Sequence, residues 1–261
     1  MKLSGKVALV IGGSQGIGEA VARQMSAEGA EVAVVASGSQ AKADAVAAQL
    51  ESTGAKARGY VADVRNAQEV EAMVKSVAAD FGRIDILVNC AGVFFPTPIG
   101  NTAPDDFSRM VDINLKGTWN SIGAVAPIMK EQRYGKIVNI ASVCGVMGFG
   151  SFAAYCATKA AIIMLTKTLV FELASHGINV NAIGPGNTAT PINEYIRTDP
   201  AYKDVLAEIV ASTPSGKAYS DAEDIAQIAV FLASDAARAM HGSFVLADEG
   251  YSAGADFSTK D

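Results

Sequence analysis

The strongest constraint on this chain is a regular alternation of short β-branched runs with longer stretches of helical period. Residues 6–12, 31–36, 55–61, 84–89, 135–141, 178–184 and 243–247 read as strands. Between them, 16–28, 41–52, 67–81, 104–131, 152–175 and 221–234 read as helices. Strands separated by helices of ten or more residues require crossover connections, and those build a parallel sheet. Runs apolar at every position, such as Val7-Ala8-Leu9-Val10-Ile11, fit strands buried on both faces. The pattern predicts a doubly wound α/β fold with a mainly parallel seven-stranded sheet and helices on both faces. No Ser/Gly/Pro linker or repeat divides it, so a single domain over 1–261 is expected. Residues 187–217 break the rhythm with Pro191, Pro200 and Pro214 around Val205, Leu206, Ile209 and Val210. An insertion of that length is expected to act as a lid over a site.

Composition removes several classes of function. A net charge of -6 argues against a dedicated nucleic-acid binder, which carries a basic patch or stripe. Apolar runs such as 7–13 fall short of the ~20 residues of a membrane span, and the N-terminus shows no signal-peptide pattern. His176 and His241 lie far apart, so no histidine metal site is expected. Cys90, Cys144 and Cys156 form no Cys-x-x-Cys and read as small buried hydrophobes. The expectation is a soluble cytoplasmic protein without nucleic-acid, membrane or metal partners. The charged fraction, 18%, is below the usual ~25%, as in a chain with a generous core or with surface covered by another subunit. The helix at 152–175 is apolar nearly all round, which favours a homo-oligomer.

The first strand runs into Gly12-Gly13-Ser14-Gln15-Gly16-Ile17-Gly18 and a helix follows. Glycines there let the backbone approach a pyrophosphate, whose charge the helix N-terminus favours. The same residues match a nucleophile elbow, Gly12-x-Ser14-x-Gly16, but an elbow needs an oxyanion donor from an earlier strand's loop. Asn114 falls on the apolar stripe of the 104–131 helix, formed by Phe107, Val111, Thr118, Ile122, Val125 and Met129. A buried amide there must be hydrogen-bonded. Tyr155 and Lys159 stand i,i+4 on the next helix and share a face. Either Lys159 snorkels beside a core tyrosine, or its ammonium pulls the phenol pKa down towards proton exchange. Ser142 follows a strand and lies on the rim where open parallel sheets bind ligands, as does Asn89-Cys90-Ala91-Gly92.

Together the glycine turn, Asp63-Val64, Asn89-Cys90-Ala91-Gly92, Asn114, Ser142, Tyr155-x-x-x-Lys159 and Pro185-Gly186 resemble the short-chain dehydrogenase/reductase superfamily over essentially the whole chain. The sequence departs from the family's habits at Ile11, Cys90 and Glu249-Gly250, none of them a reacting group. The resemblance implies a Rossmann-like fold and a nicotinamide-dependent ketone reductase or alcohol dehydrogenase. It implies Tyr155 as general acid or base, Ser142 as the group orienting the carbonyl oxygen, Lys159 as its helper on the nicotinamide ribose, and Asn114 as anchor of a linking water. For the cofactor it implies Gly12, Ser14, Gln15, Gly16, Ile17 and Gly18 at the phosphates and Asp63 and Val64 at the adenine. Asn89, Ala91 and Gly92 then lie along the central sheet, and Pro185, Gly186 and Thr188 lie near the carboxamide.

The substrate walls are expected from Phe94, Phe95, Val143, Phe149, Phe152, Asn187 and Tyr195, which fits an apolar ketone or secondary alcohol. The main expectation is a carbonyl reductase. The nearest alternative is a 3-oxoacyl-(acyl-carrier-protein) reductase, for which Lys130 and Arg133 offer basic groups. A non-catalytic dinucleotide sensor and an α/β-hydrolase are the remaining readings. NAD-selective sites place an acid about 20 residues beyond the glycine turn. Here that strand ends in Ala36-Ser37-Gly38-Ser39, without one. NADP(H) is therefore the expected cofactor, with Ser37 and Ser39 as donors and NAD(H) as the fallback. The family's habit makes the oligomer a tetramer.

Overall fold

A computed structural model describes residues 1–254. Apolar strands pair side by side in parallel: β1 (Val7–Ile11), β2 (Glu31–Ala36), β3 (Ala57–Val61), β4 (Ile86–Asn89), β5 (Gly135–Ile140), β6 (Ile178–Pro185) and β7 (Phe244–Ala247). The order is β3-β2-β1-β4-β5-β6-β7, every pair parallel, so "mainly parallel" understates the regularity. The order reverses between β1 and β4, where open sheets of this kind leave a crevice beyond the strand ends. Alternate strand residues feed two cores. Ala8, Val10, Val32 and Val34 pack with α1 (Gly16–Ala27), α2 (Gln40–Glu51) and α9 (Ala222–Ala233). Leu9, Ile11, Ala33 and Val35 pack with α3 (Ala67–Phe81), α5 (Gly117–Gln132) and α6 (Ala153–Leu173).

The helix expected at 104–131 is not continuous. It divides into α4 (Asp106–Val111), a π turn at Asp112–Lys116, and α5. Asn114 sits in the π turn, fully buried, with its side-chain amide bonded to the backbone of Val93 in both directions. Pi turns concentrate at functional sites, where they re-aim one side chain without ending the helix. Phe107, assigned to the buried stripe, is exposed because the stripe's phase is lost at this break.

Helix α6 lies where the 152–175 helix was expected. With its terminal turn, the Ala153–His176 segment is long and apolar enough to cross a membrane by composition, with mean hydropathy 1.3. Here it packs along β6 and carries Thr158, Lys159 and Thr166 into the interior. Cys144 is buried as expected, whereas Cys90 and Cys156 are only half-buried; all three thiols are free.

Candidate active site

All strands run the same way, so the connections after β1, β4, β5 and β6 meet on one edge. At the β1–α1 turn, Gly12 has φ 77, and a Cβ there would stand 2.8 Å from the Ala91 backbone nitrogen. Only glycine lets the two strand ends come so close. The first turn of α1 has no side-chain cap from Gln15, so its N–H groups stay free to meet an anion. Thr190 at the start of the 187–217 segment closes this turn from above, 3.3 Å from where a Gly16 Cβ would be.

Asn114 joins two strand-end segments. Its Oδ1 accepts from Val93 N–H at 2.8 Å, and its Nδ2 donates to Val93 O at 3.0 Å and Thr158 Oγ1 at 3.3 Å. Its backbone carbonyl accepts from Thr118 Oγ1 at 2.8 Å. Gly92 faces both Asn114 and Lys159: a Cβ there would lie 3.4 Å from Asn114 Oδ1 and 3.8 Å from Lys159 Nζ. One strand away, Asn89 Nδ2 donates to Asn139 Oδ1 at 2.9 Å, and Asn89 Oδ1 has no partner among the described residues.

Ser142 caps the short turn after β5, its Oγ accepting from Cys144 N–H at 3.1 Å. Lys159 is buried and donates from Nζ to Ile140 O at 2.8 Å, with Nζ 5.6 Å from the centre of the Tyr155 ring. Burial lowers the Lys159 ammonium to about 8. The Tyr155 phenol goes the other way from the expectation: burial raises it, against the neighbouring Ser142 hydroxyl, which lowers it. With the lysine engaged on a carbonyl, desolvation dominates at the tyrosine. Burial also lifts the Cys90 thiol to about 12 and the Cys144 thiol to about 11, so neither is primed as a nucleophile.

The adenosine side lies beyond β2 and β3. Ser37 is exposed at the end of β2, and Ser39 caps α2, accepting from Lys42 N–H at 3.3 Å. No acid occupies the first turn of α2. Asp63 is held by Arg65, whose Nε and Nη2 both reach its Oδ2, at 2.9 and 2.6 Å, which lowers the carboxyl pKa. Asn120 Nδ2 donates to Val64 O at 2.8 Å. Sequence reasoning missed Arg65, Asn120 and Thr158, because each acts through hydrogen bonds that leave no periodic trace.

Towards the proposed nicotinamide end, Thr188 is buried beyond Pro185 and Gly186, its Oγ1 donating to Gly186 O at 3.3 Å. The segment after it is stapled: Asn193 Nδ2 donates to Thr188 O at 2.8 Å and Arg197 Nη2 to Thr190 O at 3.1 Å. Farther along, α7 (Glu194–Thr198) and α8 (Lys203–Ser212) bury no residue. Among the expected walls, Phe94 stacks on Phe152 and meets Tyr155 edge-on, Phe149 packs near Tyr251, and Arg109 lies over Phe95. Val143 is buried, Asn187 half-buried, and Tyr195 is exposed against Tyr202. A groove of about 610 Å³ lined by Gln40, Arg58 and Tyr60 touches none of these groups.

The arrangement fits a dinucleotide: free N–H groups and a glycine cradle at one end, and a hydroxyl, phenol and ammonium at the other. The short chain dehydrogenase family matches residues 6–201, and the chain belongs to it. It is 39% identical over 240 residues to a 3-oxoacyl-(acyl-carrier-protein) reductase of Staphylococcus epidermidis, covering 92% of this chain and 96% of that one. The reductase of the same name from Thermotoga maritima is 35% identical over 250 residues, covering 96% and 99%. Among solved structures, a gluconate 5-dehydrogenase from Burkholderia cenocepacia in complex with NADP and tartrate gives a TM-score of 0.91 at 33% identity, covering 97% and 98%. Levodione reductase gives 0.90 at 34% identity, covering 96% and 99%. The protein is an oxidoreductase that acts on CH–OH or keto groups with a nicotinamide cofactor. The hydrolase and sensor readings fall with that result.

Proposed function

We propose that the protein reduces the keto group of 3-oxoacyl derivatives with NADPH. The shared name of relatives 35–39% identical over more than nine-tenths of the chain favours this over the carbonyl reductase expected first. The convergence of Ser142, Tyr155 and Lys159 on one strand-end rim carries the reaction itself. A bound nicotinamide would supply the hydride. Tyr155 Oη gives its proton to the keto oxygen, which Ser142 Oγ holds in line. Lys159 keeps a positive charge beneath the phenol, and Asn114 fixes the Val93 segment against α6 so that Gly92 and Lys159 stay in register. The first turn of α1 with Gly12, Ser14, Gln15, Gly16, Ile17 and Gly18 would hold the pyrophosphate. Asp63 and Val64 would hold the adenine, Asn89, Ala91, Gly92 and Lys159 the ribose side, and Pro185, Gly186 and Thr188 the carboxamide.

NADPH rather than NADH is supported by the acid-free end of β2 and the serines at 37 and 39. The NADP printed for the gluconate 5-dehydrogenase neighbour agrees with this. The 187–217 segment would serve as lid, stapled at its base and free along α8, within one domain. Free thiols favour a reducing compartment, the cytoplasm. A carbonyl reductase of apolar ketones stays as the second reading because of the Phe94–Phe152 wall.

The test is Tyr155→Phe, which removes the transferable proton and keeps the ring. Turnover of a 3-oxoacyl thioester should fall by the ~10²–10⁴ of a lost acid or base group, with NADPH binding by fluorescence retained. A variant keeping a tenth of the wild-type rate would refute the assignment.

A further inference from the structure

Three stretches that end on the reacting edge, 86–104, 137–158 and 177–193, contain no Asp, Glu, Lys, Arg or His. Two are tied together: Thr97 N–H donates to Ser151 O at 2.6 Å, and Ala154 N–H to Thr97 Oγ1 at 3.2 Å. Beside Tyr155 these stretches present rings. Phe94 stacks on Phe152 with centroids 4.4 Å apart and planes 3° from parallel, and it meets the Tyr155 ring at 4.8 Å and 78°. Both phenylalanines are only half-buried, so apolar ring surface stays open next to the proton donor.

The charged elements bordering this surface are acidic. Asp105, Asp106 and Asp112 at α4 outnumber Arg109, which lies over Phe95. Glu194, Asp199, Asp204 and Glu208 on the 187–217 segment outnumber Arg197, Lys203 and Lys217; Arg197 is occupied by Asn193 and Thr190 O, and Lys217 by Asp221 and Asp224. Lys159, the ammonium inside the site, is buried against Ile140 O. Apart from Arg109 over Phe95, a carboxylate or phosphate brought here loses hydration without gaining a cationic partner among the described residues. An apolar group gains by covering the rings.

Given the ketone reduction proposed above, we infer that Phe94 and Phe152 determine specificity by gripping an uncharged apolar group next to the keto carbon. No charged handle on the substrate adds to recognition, whether a carboxylate, coenzyme A or an acidic carrier. The chemical class is a neutral ketone flanked by alkyl or ring carbon.

The experiment compares kcat/KM, with NADPH saturating, for one 3-oxohexanoyl group presented as ethyl ester, as coenzyme A thioester and on acyl carrier protein. It also compares methyl 6-oxoheptanoate with the 6-oxoheptanoate anion. The three acyl forms should agree within about threefold, and the neutral keto ester should exceed the anion by about tenfold or more. Phe94→Ala should raise KM for the ester by about fivefold or more while kcat stays within about threefold. NADPH affinity should not change, and Phe94→Leu should recover part of the loss. A coenzyme A or carrier form about tenfold better than the ester overturns the inference, as does an anion turned over as well as its ester. A Phe94→Ala that weakens NADPH binding instead would mark a structural role and overturn it too. If no 3-oxoacyl form is reduced but the keto ester is, the substrate proposed above fails, and the inference is decided by the keto ester pair and the Phe94 variants.

Discussion

Lys159 places an ammonium on the buried face of α6, where an alkyl side chain would carry no desolvation cost. Its value of about 8 against the ordinary 10.5 fixes the sign of the linkage. Between those values the unfolded chain binds the proton and the folded chain does not, so stability from this group rises with pH across that window. Below about 8 the folded state carries the buried charge at a cost. If that charge is needed beneath Tyr155, kcat/KM for reduction should hold up to about pH 8 and decline above it. In Lys159→Arg, a cation that does not titrate in range, the alkaline decline should move upward or vanish. An unchanged profile would assign the decline to another group. At the far end of the site the residue to change is Ser37. Wild-type kcat/KM should favour NADPH, and Ser37→Asp should swing the NADPH/NADH ratio towards NADH by about tenfold or more, since a hydrogen bond to a charged group contributes ~1.5–3 kcal/mol. A wild-type ratio favouring NADH tenfold would mean that the missing acid had been over-read.

At the scale of elements, the sequence was legible wherever a local rule and the fold agree. Val7–Ile11 is apolar throughout, Glu31–Ala36 is apolar after Glu31, and Gly135–Ile140 is buried along its whole length; all three became interior strands. The rim was legible too, because a parallel sheet brings Gly12, Asn89, Ser142 and Gly186 to one edge by topology alone. Periodicity failed at 104–131, where the phase of a single helix cannot register a π turn set by Asn114 bonding to Val93, a residue 21 positions away. At α6 the expectation held: the helix spans Ala153–Leu173 with Lys159 and Thr166 buried, although its composition also matches a membrane span. The tyrosine's pKa was misjudged for a related reason. Spacing puts Lys159 on the face of Tyr155, but only coordinates reveal that its proton goes to Ile140 O. The 187–217 segment was visible as a break in the rhythm, yet its division into a stapled base and a bare α8 depends on Asn193 and Arg197, which carry no sequence signature.

For the molecule as a whole, the question is what covers its apolar exterior. Phe171 and Met164 on α6 are 90% and 61% exposed, and Trp119 on the neighbouring α5 is 61% exposed. Large exposed apolar side chains on neighbouring helices, in a chain with 18% charged residues, favour an association surface. A second apolar surface lies across the sheet, with Phe231 on α9 and Leu246 on edge strand β7 both exposed. Two separate faces, each pairing with its own copy, would generate two isologous interfaces, and two crossed two-fold axes would close into a tetramer without leaving an open edge. The particle expected by light scattering is therefore about four times the 26.9 kDa monomer. Phe171→Glu should reduce it to a dimer held by the α9–β7 face, and Leu246→Glu to a dimer held by α5 and α6. The double variant should run as a monomer, because a desolvated carboxylate at either centre has no partner. Near-unchanged circular dichroism in each variant separates loss of assembly from loss of fold. A wild-type monomer at micromolar concentration, or a tetramer that survives Phe171→Glu and Leu246→Glu together, would show that these faces are covered by something other than copies of the chain.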